Sequence, residues 1–415
     1  MNWKSSLKHK LQSSLLAADN WTHKTFEPKL SPRSDSLVAY VLPADAPGGI
    51  GDDAMTAGSI NSLASCRPEL NPVVLAPRNY PDTAPFADGA PVKRVISNWK
   101  LPSGIFSALP GNGGFFILGA DILDGHYSCP DAVMRIRLAK YAKELGFDSR
   151  IVGFSLNSSP HQAVIREFNS LKGKAPLYLR DAISHERARA FIDGDLRLSA
   201  DVAFGLEPES SPETRAVVEF IAQAKTYCRP TFAINIHELF AKEHGPGITI
   251  SLVEQFSKLI SKNKDCSFVL IPHDFRHYID DRRPLAQIFL GLPQEAQERT
   301  YIVRKVIRAS EIKEICSHVD GAFTGRMHLA IAALGTGVPV FGIAYQGKFE
   351  GLLDHFDLPK DCAMGPAEIV KEGVLDRAFS TWRSQLDFYR KRVESNLPSV
   401  MDLSRSNYYA PPRKP

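Results

Sequence analysis

The sequence predicts an α/β protein made of two Rossmann-like domains facing a cleft, and three observations carry that prediction. Short apolar runs rich in Val, Ile, Leu and Phe recur along the chain, each is followed by a turn and a helical pattern, and the alternation lapses once before resuming. Near-continuous apolar strands alternating with helices belong to parallel sheets covered on both faces. A chain of 415 residues exceeds one ordinary core and fits two domains of about 200 residues each. Two such sheets place ligands beyond the carboxyl ends of their strands, so the loops after strands are where function is sought.

The first half supplies strands in "SLVAYVL" (36–42), "PVVLA" (72–76), "GFFILG" (114–119), "SRIVGFSL" (149–156) and "PLYLRD" (176–181). The run "DVAFGLEPESSPETR" (201–215) loses periodicity and concentrates Pro, Ser and Glu, the composition of an exposed connection. It divides the chain into residues 1–210 and 211–415. The alternation resumes with "TFAINI" (231–236), the helix "SLVEQFSKLISKN" (251–263), the strand "CSFVLIPH" (266–273), the helix "PLAQIFLGL" (284–292) and "TYIVRK" (300–305). After Gly365 the pattern is helical and charged, and the tail "YYAPPRKP" is expected to be disordered or draped on the surface.

Composition removes several function classes. No apolar run approaches the roughly 20 residues that span a bilayer, and a formal net charge of +4 spread along the chain offers no nucleic-acid face. The first twenty residues read as a short amphipathic arm, which leaves peripheral membrane contact open. Cys66, Cys129, Cys228, Cys266, Cys316 and Cys362 form no cluster of metal-ligand spacing, so neither a metal nor disulfides are expected and a reducing cytoplasm suits the chain.

Four loops after strands carry chemistry. "PGGIGDDAM" (47–55) has three glycines that let backbone approach a ligand, while Asp52 or Asp53 can cap the next helix or bond a sugar hydroxyl; a plain glycine-rich turn is equally compatible. "FFILGADILDGHYS" ends a buried strand and leads to Asp121, Asp124, His126 and Tyr127, side chains suited to acceptor recognition, although an isolated histidine such as His126 is more often structural than catalytic. "YLRDAIS" reads locally as a capped turn with an ion pair, with phosphate binding by Arg180 the minority reading. The fourth, "GAFTGRMHLAIAALGTGVPVFGIAYQGKFEG" (321–351), reads as strand, turn, buried helix and strand. It sets Arg326 and His328 in a first helical turn, where unpaired N–H groups and the dipole favour an anion, the arginine fork suits phosphate or carboxylate, and imidazole moves protons near neutral pH; an arginine paired with a local carboxylate beside a satisfied histidine is the alternative, weighed below it.

That last stretch resembles the C-terminal signature of the polysaccharide pyruvyl transferases: Gly-x-Arg-x-His, an apolar helix, Gly-x-Pro, then Tyr-x-x-Lys-x-x-Gly, here Gly325, Arg326, His328, Gly337, Pro339, Tyr345, Lys348 and Gly351. "GGIGDDAM", "FFILGADILDGH", "LRDAIS" and "DVAF" resemble looser elements of the family in the same order. The N-terminal loop and the Gly-Ala-Asp strand end depart from its pattern, and both lie on the acceptor side.

The resemblance implies an architecture similar to glycosyltransferase B, with the donor held by the C-terminal half. It implies transfer of the pyruvyl group of phosphoenolpyruvate, as co-substrate and with no further cofactor, to two hydroxyls of a sugar in a cell-surface polysaccharide or its lipid-linked precursor. His328 is then the expected acid and Arg326 the anion clamp. Gly325, Met327 and Lys348 join the donor site, with Arg180 a second clamp across the cleft, and Asp52, Asp53, Asp124 and His126 serve the acceptor. A nucleotide-sugar glycosyltransferase and a catalytically silent glycan-binding relative are the competing readings.

Overall fold

The computed structural model describes residues 37–45, 48–77, 92–95, 105–106, 109, 113–238, 240–245, 247–277, 279–343 and 349–409. The N-terminal arm, Tyr345 and Lys348 lie outside the described residues.

The chain divides into two compact units at Gly205–Leu206. In the first, β1 (Leu37–Leu42), α1 (Ile50–Cys66), β2 (Leu70–Pro77), β3 (Val92–Val95), β4 (Gly113–Ala120), α2 (Cys129–Glu144), β5 (Asp148–Phe154), α3 (Gln162–Ser170), β6 (Leu177–Leu179), α4 (Ala182–Phe191) and β7 (Leu196–Leu198) follow one another. Its parallel sheet has the order β3-β2-β1-β4-β5-β6-β7.

The second unit runs α5 (Pro212–Thr226), β8 (Thr231–Asn235), α6 (Phe240–His244), α7 (Gly247–Lys262), β9 (Ser267–Leu270), α8 (Arg282–Gly291), α9 (Gln294–Gln297), β10 (Thr300–Ile302), α10 (Ala309–Cys316), β11 (Gly321–Thr324), α11 (Met327–Leu334), β12 (Val340–Ile343), α12 (Glu350–Asp354), β13 (Ala363–Met364), α13 (Pro366–Ile369) and α14 (Val374–Ser384). The last helix, α15 (Leu386–Ser406), starts here and ends in the first unit. The second sheet, also parallel, has the order β10-β9-β8-β11-β12-β13. Each order reverses once, between β1 and β4 and between β8 and β11, and such a reversal is where ligands settle in open α/β sheets.

The second core shows why these strands bury both faces. Phe323 and Phe341 stack at 4.5 Å, and Trp382 of α14 meets Phe323 edge-on at 5.0 Å. Gly321 is required at that contact, since a Cβ would stand 2.4 Å from the Trp382 ring.

Two segments depart from a simple division near residue 210. Residues 48–54, although they open α1, belong to the second unit: the Phe275 amide donates to the Gly48 carbonyl at 3.0 Å and Gly49 forms an antiparallel bridge with Asp274. Leu403–Tyr409 belong to the first unit. There the buried Arg150 guanidinium donates to the carbonyls of Asn407 at 2.9 Å and Tyr409 at 2.8 Å, and Tyr408 packs on Phe116 with its hydroxyl on Ser59. The start of the expected surface tail is therefore core. Asp201–Leu206, read as exposed connection, is buried as well, and only Glu207–Ser210 lies open before Ser211 caps α5.

Candidate active site in the second unit

The second sheet's reversal brings together the carboxyl ends of β8, β9 and β11. Strand β11 ends at Thr324, whose hydroxyl accepts the Arg326 amide at 2.9 Å and turns the chain into α11. Gly325 fits because a Cβ there would lie 2.7 Å from the Phe240 ring. Arg326 is the N-cap in extended conformation (φ −103°, ψ 116°), so the helix starts one residue later than the sequence reading placed it. Met327 and His328 occupy its first turn, and Leu329–Leu334 are buried throughout.

The Arg326 side chain, 9% exposed, turns back into the protein. Its Nε and Nη2 donate to the two oxygens of Asp281 at 3.0 and 2.6 Å, Nη1 donates to Asp274 at 3.1 Å, and Nη2 reaches the Ile279 carbonyl at 3.4 Å. Asp281 is fully buried and also accepts from Asn235 Nδ2 and the His273 amide, both at 3.0 Å. Burial pushes its carboxyl above the ordinary range, against the pull of Arg326, Asn235 and the His273 amide. Asp274 meanwhile accepts Arg276 Nε at 3.0 Å and Nη2 at 2.6 Å. Two guanidinium groups thus face two carboxylates. The fork expected to clamp a bound anion holds Asp281, because taking an arginine out of water demands a buried partner.

The glycine-rich loop explains the rest. A Cβ on Gly51 would lie 2.3 Å from His328 Nδ1, so the first turn of α1 is a seat for that imidazole. Gly49 gives similar room to Arg276, whose guanidinium a Cβ would meet at 3.1 Å, and Gly48 holds φ +103°. These glycines allow close approach, as the sequence suggested, but what approaches is the protein's own Arg276 and His328. Gly49, whose carbonyl accepts the amides of Asp52 and Asp53, takes the capping place, and both aspartates lie in the first turn. Asp53 is 3% exposed. Burial first, then Asp52 and Asp274, hold its carboxyl well above the ordinary range against the Gly48 amide and Arg276.

Of the residues singled out from sequence, Asp52, Asp53, Gly325, Arg326, Met327 and His328 come together here. The two aspartates, expected on the acceptor side with the N-terminal half, belong to the second unit. The first unit keeps three others. Arg180 is buried, with Nη1 on Asp201 at 2.9 Å and Nε on Ser155 at 2.6 Å, while Asp181 caps α4 by accepting the Ser184 amide at 2.6 Å. That is the capped turn with an ion pair that the local reading favoured. Asp124 is buried too, accepting the His126 amide at 2.8 Å and Asn157 Nδ2 at 2.6 Å, and so shapes the loop after β4. His126 is exposed, its ring 5.4 Å from that of Tyr127.

Sequence reasoning missed Asn235, His273, Asp274, Arg276 and Asp281. The signal was available, since "PHDFRHYIDD" directly follows a strand and concentrates charge. Among the described residues no group of three or more His, Cys, Asp or Glu is placed to hold a metal ion, and no helix is long and apolar enough to cross a membrane.

Solved structures share this fold at low identity. MnaA of S. aureus with UDP aligns at a TM-score of 0.61 with 10% identity over 89% of this chain and 94% of that one. The UDP-GlcNAc 2-epimerase of Neisseria meningitidis bound to UDP-GlcNAc gives 0.54 with 10% identity over 89% and 97%. The α,α-trehalose 6-phosphate synthase of Burkholderia multivorans gives 0.51 with 10% identity over 90% and 97%. At such identity the likeness speaks for the glycosyltransferase B fold alone. Comparison with curated proteins yields no significant match. The family model described as polysaccharide pyruvyl transferase matches residues 50–347, from the seat of the imidazole through the Arg/His element, and the chain belongs to that family.

Proposed function

We propose that the protein transfers the pyruvyl group of phosphoenolpyruvate to two hydroxyls of a sugar, in a cell-surface polysaccharide or its lipid-linked precursor, giving a pyruvate ketal and free phosphate. The observation that carries this reading is His328 in the first turn of α11, seated against Gly51 and beside the buried Arg326–Asp281 pair at the reversal of the second sheet. Family membership supplies the reaction class.

In this reading the first N–H groups of α11, at Met327, His328 and Leu329, face the donor's anionic groups. Arg326 holds the frame that aims them, and its fork stays with Asp281. Lys348 enters as a further donor contact on the family's pattern, whereas Arg180 is committed to Asp201 in the first unit and is left out of the donor site. His328 gives a proton to the methylene carbon, which creates positive character at C2. One sugar hydroxyl adds there, a second displaces phosphate, and of the two hydroxyl protons one returns to the imidazole and one leaves on phosphate. Asp52 and Asp53, in the same unit as His328, orient the acceptor's hydroxyls.

The test is phosphate release from phosphoenolpyruvate with free and lipid-linked glycan acceptors, in buffer containing a chelator, with nucleotide sugars as the control donor. Release that depends on acceptor and survives chelation is expected. Turnover of a nucleotide sugar with none of phosphoenolpyruvate would replace this reading by the glycosyltransferase one.

A further inference from the structure

The loop leaving β9 carries an imidazole that nothing so far has used. His273 is 3% exposed, and neither of its ring nitrogens meets a hydrogen-bond partner among the described residues. A buried imidazole with an unmet donor and an unmet acceptor is costly, and an aliphatic side chain in its place would avoid that cost. Its backbone fixes where the ring sits. The amide is bonded to Asp281, which holds Arg326, the neighbour of the α11 first turn. The next residue, Asp274, bridges to Gly49, two positions before the glycine that seats His328. Burial first, and then positive charge at His328 and Arg326, hold this imidazole well below the ordinary range, so it stays neutral.

Resting on the proposed pyruvyl transfer, we propose that His273 is a positioning residue for His328: a ring nitrogen of the neutral imidazole accepts the His328 N–H through one bridging water and fixes which nitrogen His328 turns toward the substrate. The other nitrogen of a working imidazole is ordinarily set in this way by a neighbouring acceptor. The charged groups on the elements that meet here are Asp274 and Arg276 on the same loop, Asp281 at the α8 cap, Arg326 at the α11 cap, Asp52 and Asp53 in the first turn of α1, and Glu238 after β8.

Three substitutions test it. His273→Leu removes the acceptor, while His273→Asn and His273→Gln each place an amide oxygen near one of the two nitrogen positions. The leucine variant is expected to melt no lower than wild type, to keep its affinity for phosphoenolpyruvate, and to lose turnover by about tenfold or more. The limb of its pH–rate profile set by His328 should move to lower pH by about 0.5 to 1 unit, the size one hydrogen bond supplies. One of the two amide variants should recover part of the turnover and of the shift. The His328 titration followed by NMR on the same proteins reads the same shift without substrate, so the inference can be judged even if wild type releases no phosphate, the outcome that defeats the proposed function instead. An unmoved His328 titration in the leucine variant overturns the inference, as does a lower melting temperature with donor affinity lost, which would make His273 a packing residue only.

Discussion

Replacing Arg326 by methionine tests whether this arginine is a frame or a free anion clamp. Its guanidinium makes three bonds to the carboxylates of Asp281 and Asp274, at 3.0, 2.6 and 3.1 Å, and Asp281 has no exposure to water. Removing one member of a buried pair costs about 3–5 kcal/mol because the partner charge is left unmatched. For a unit of this size that lowers the melting temperature by roughly 6 to 20 °C. Asp281→Asn alone should cost a similar amount, while the double variant, which removes both charges, should cost less than the sum by about 1–3 kcal/mol. The pH dependence has a definite sign. Without its cation the Asp281 carboxyl in Arg326→Met titrates above the unfolded value near 3.9, so the deficit is largest at neutral pH and shrinks as pH falls toward 4. Urea unfolding of the four proteins at pH 7 and pH 5, with phosphoenolpyruvate titrated into each, gives every term. A single-variant cost below about 1 kcal/mol together with loss of donor binding would refute the frame and restore the clamp.

Three further outcomes follow from the same geometry. His328→Asn keeps a hydrogen bond but no titrating nitrogen, so turnover should fall about 100-fold or more with donor affinity little changed; near-normal turnover would move the proton donor elsewhere, with the buried Asp53 carboxyl the first place to look. Gly51→Ala puts a methyl 2.3 Å from His328 Nδ1, so the imidazole must leave its seat: a loss of about 1–3 kcal/mol in stability and tenfold or more in turnover is expected, and wild-type kinetics would show that the loop does not hold the ring. Lys313 is buried and its ammonium is pushed down to about 8, so the folded chain holds fewer protons there than the unfolded chain between about pH 8 and pH 10.4, and stability from this group rises with pH across that window by up to about 3 kcal/mol. The difference in unfolding free energy between wild type and Lys313→Met, measured from pH 7 to pH 10, should trace that rise, and a flat difference would place the lysine in contact with water.

Much of the molecule was legible in order. Apolar runs such as "GFFILG" and "CSFVLIPH" have nowhere to go but the inside of a parallel sheet, and the glycine, arginine and histidine at 325–328 mark a strand-to-helix turn at a sheet reversal. The edge strands β3, β7 and β13 escaped notice because at two to four residues they carry no periodicity of their own.

Local events are read from the chain alone: which segments become strands, where α11 begins to within one residue, and that an arginine and a histidine stand at its mouth. Partners are set by folding. Arg326 met Asp281, 45 residues away, instead of waiting for a ligand; Gly51 met His328 across most of the chain; residues 48–54 joined the second unit and Leu403–Tyr409 the first. Hydrophobic periodicity is a property of neighbours in sequence, whereas the cost of burying a charge is settled by whichever group the fold brings within about 3 Å, and that distance is written in no single stretch of residues.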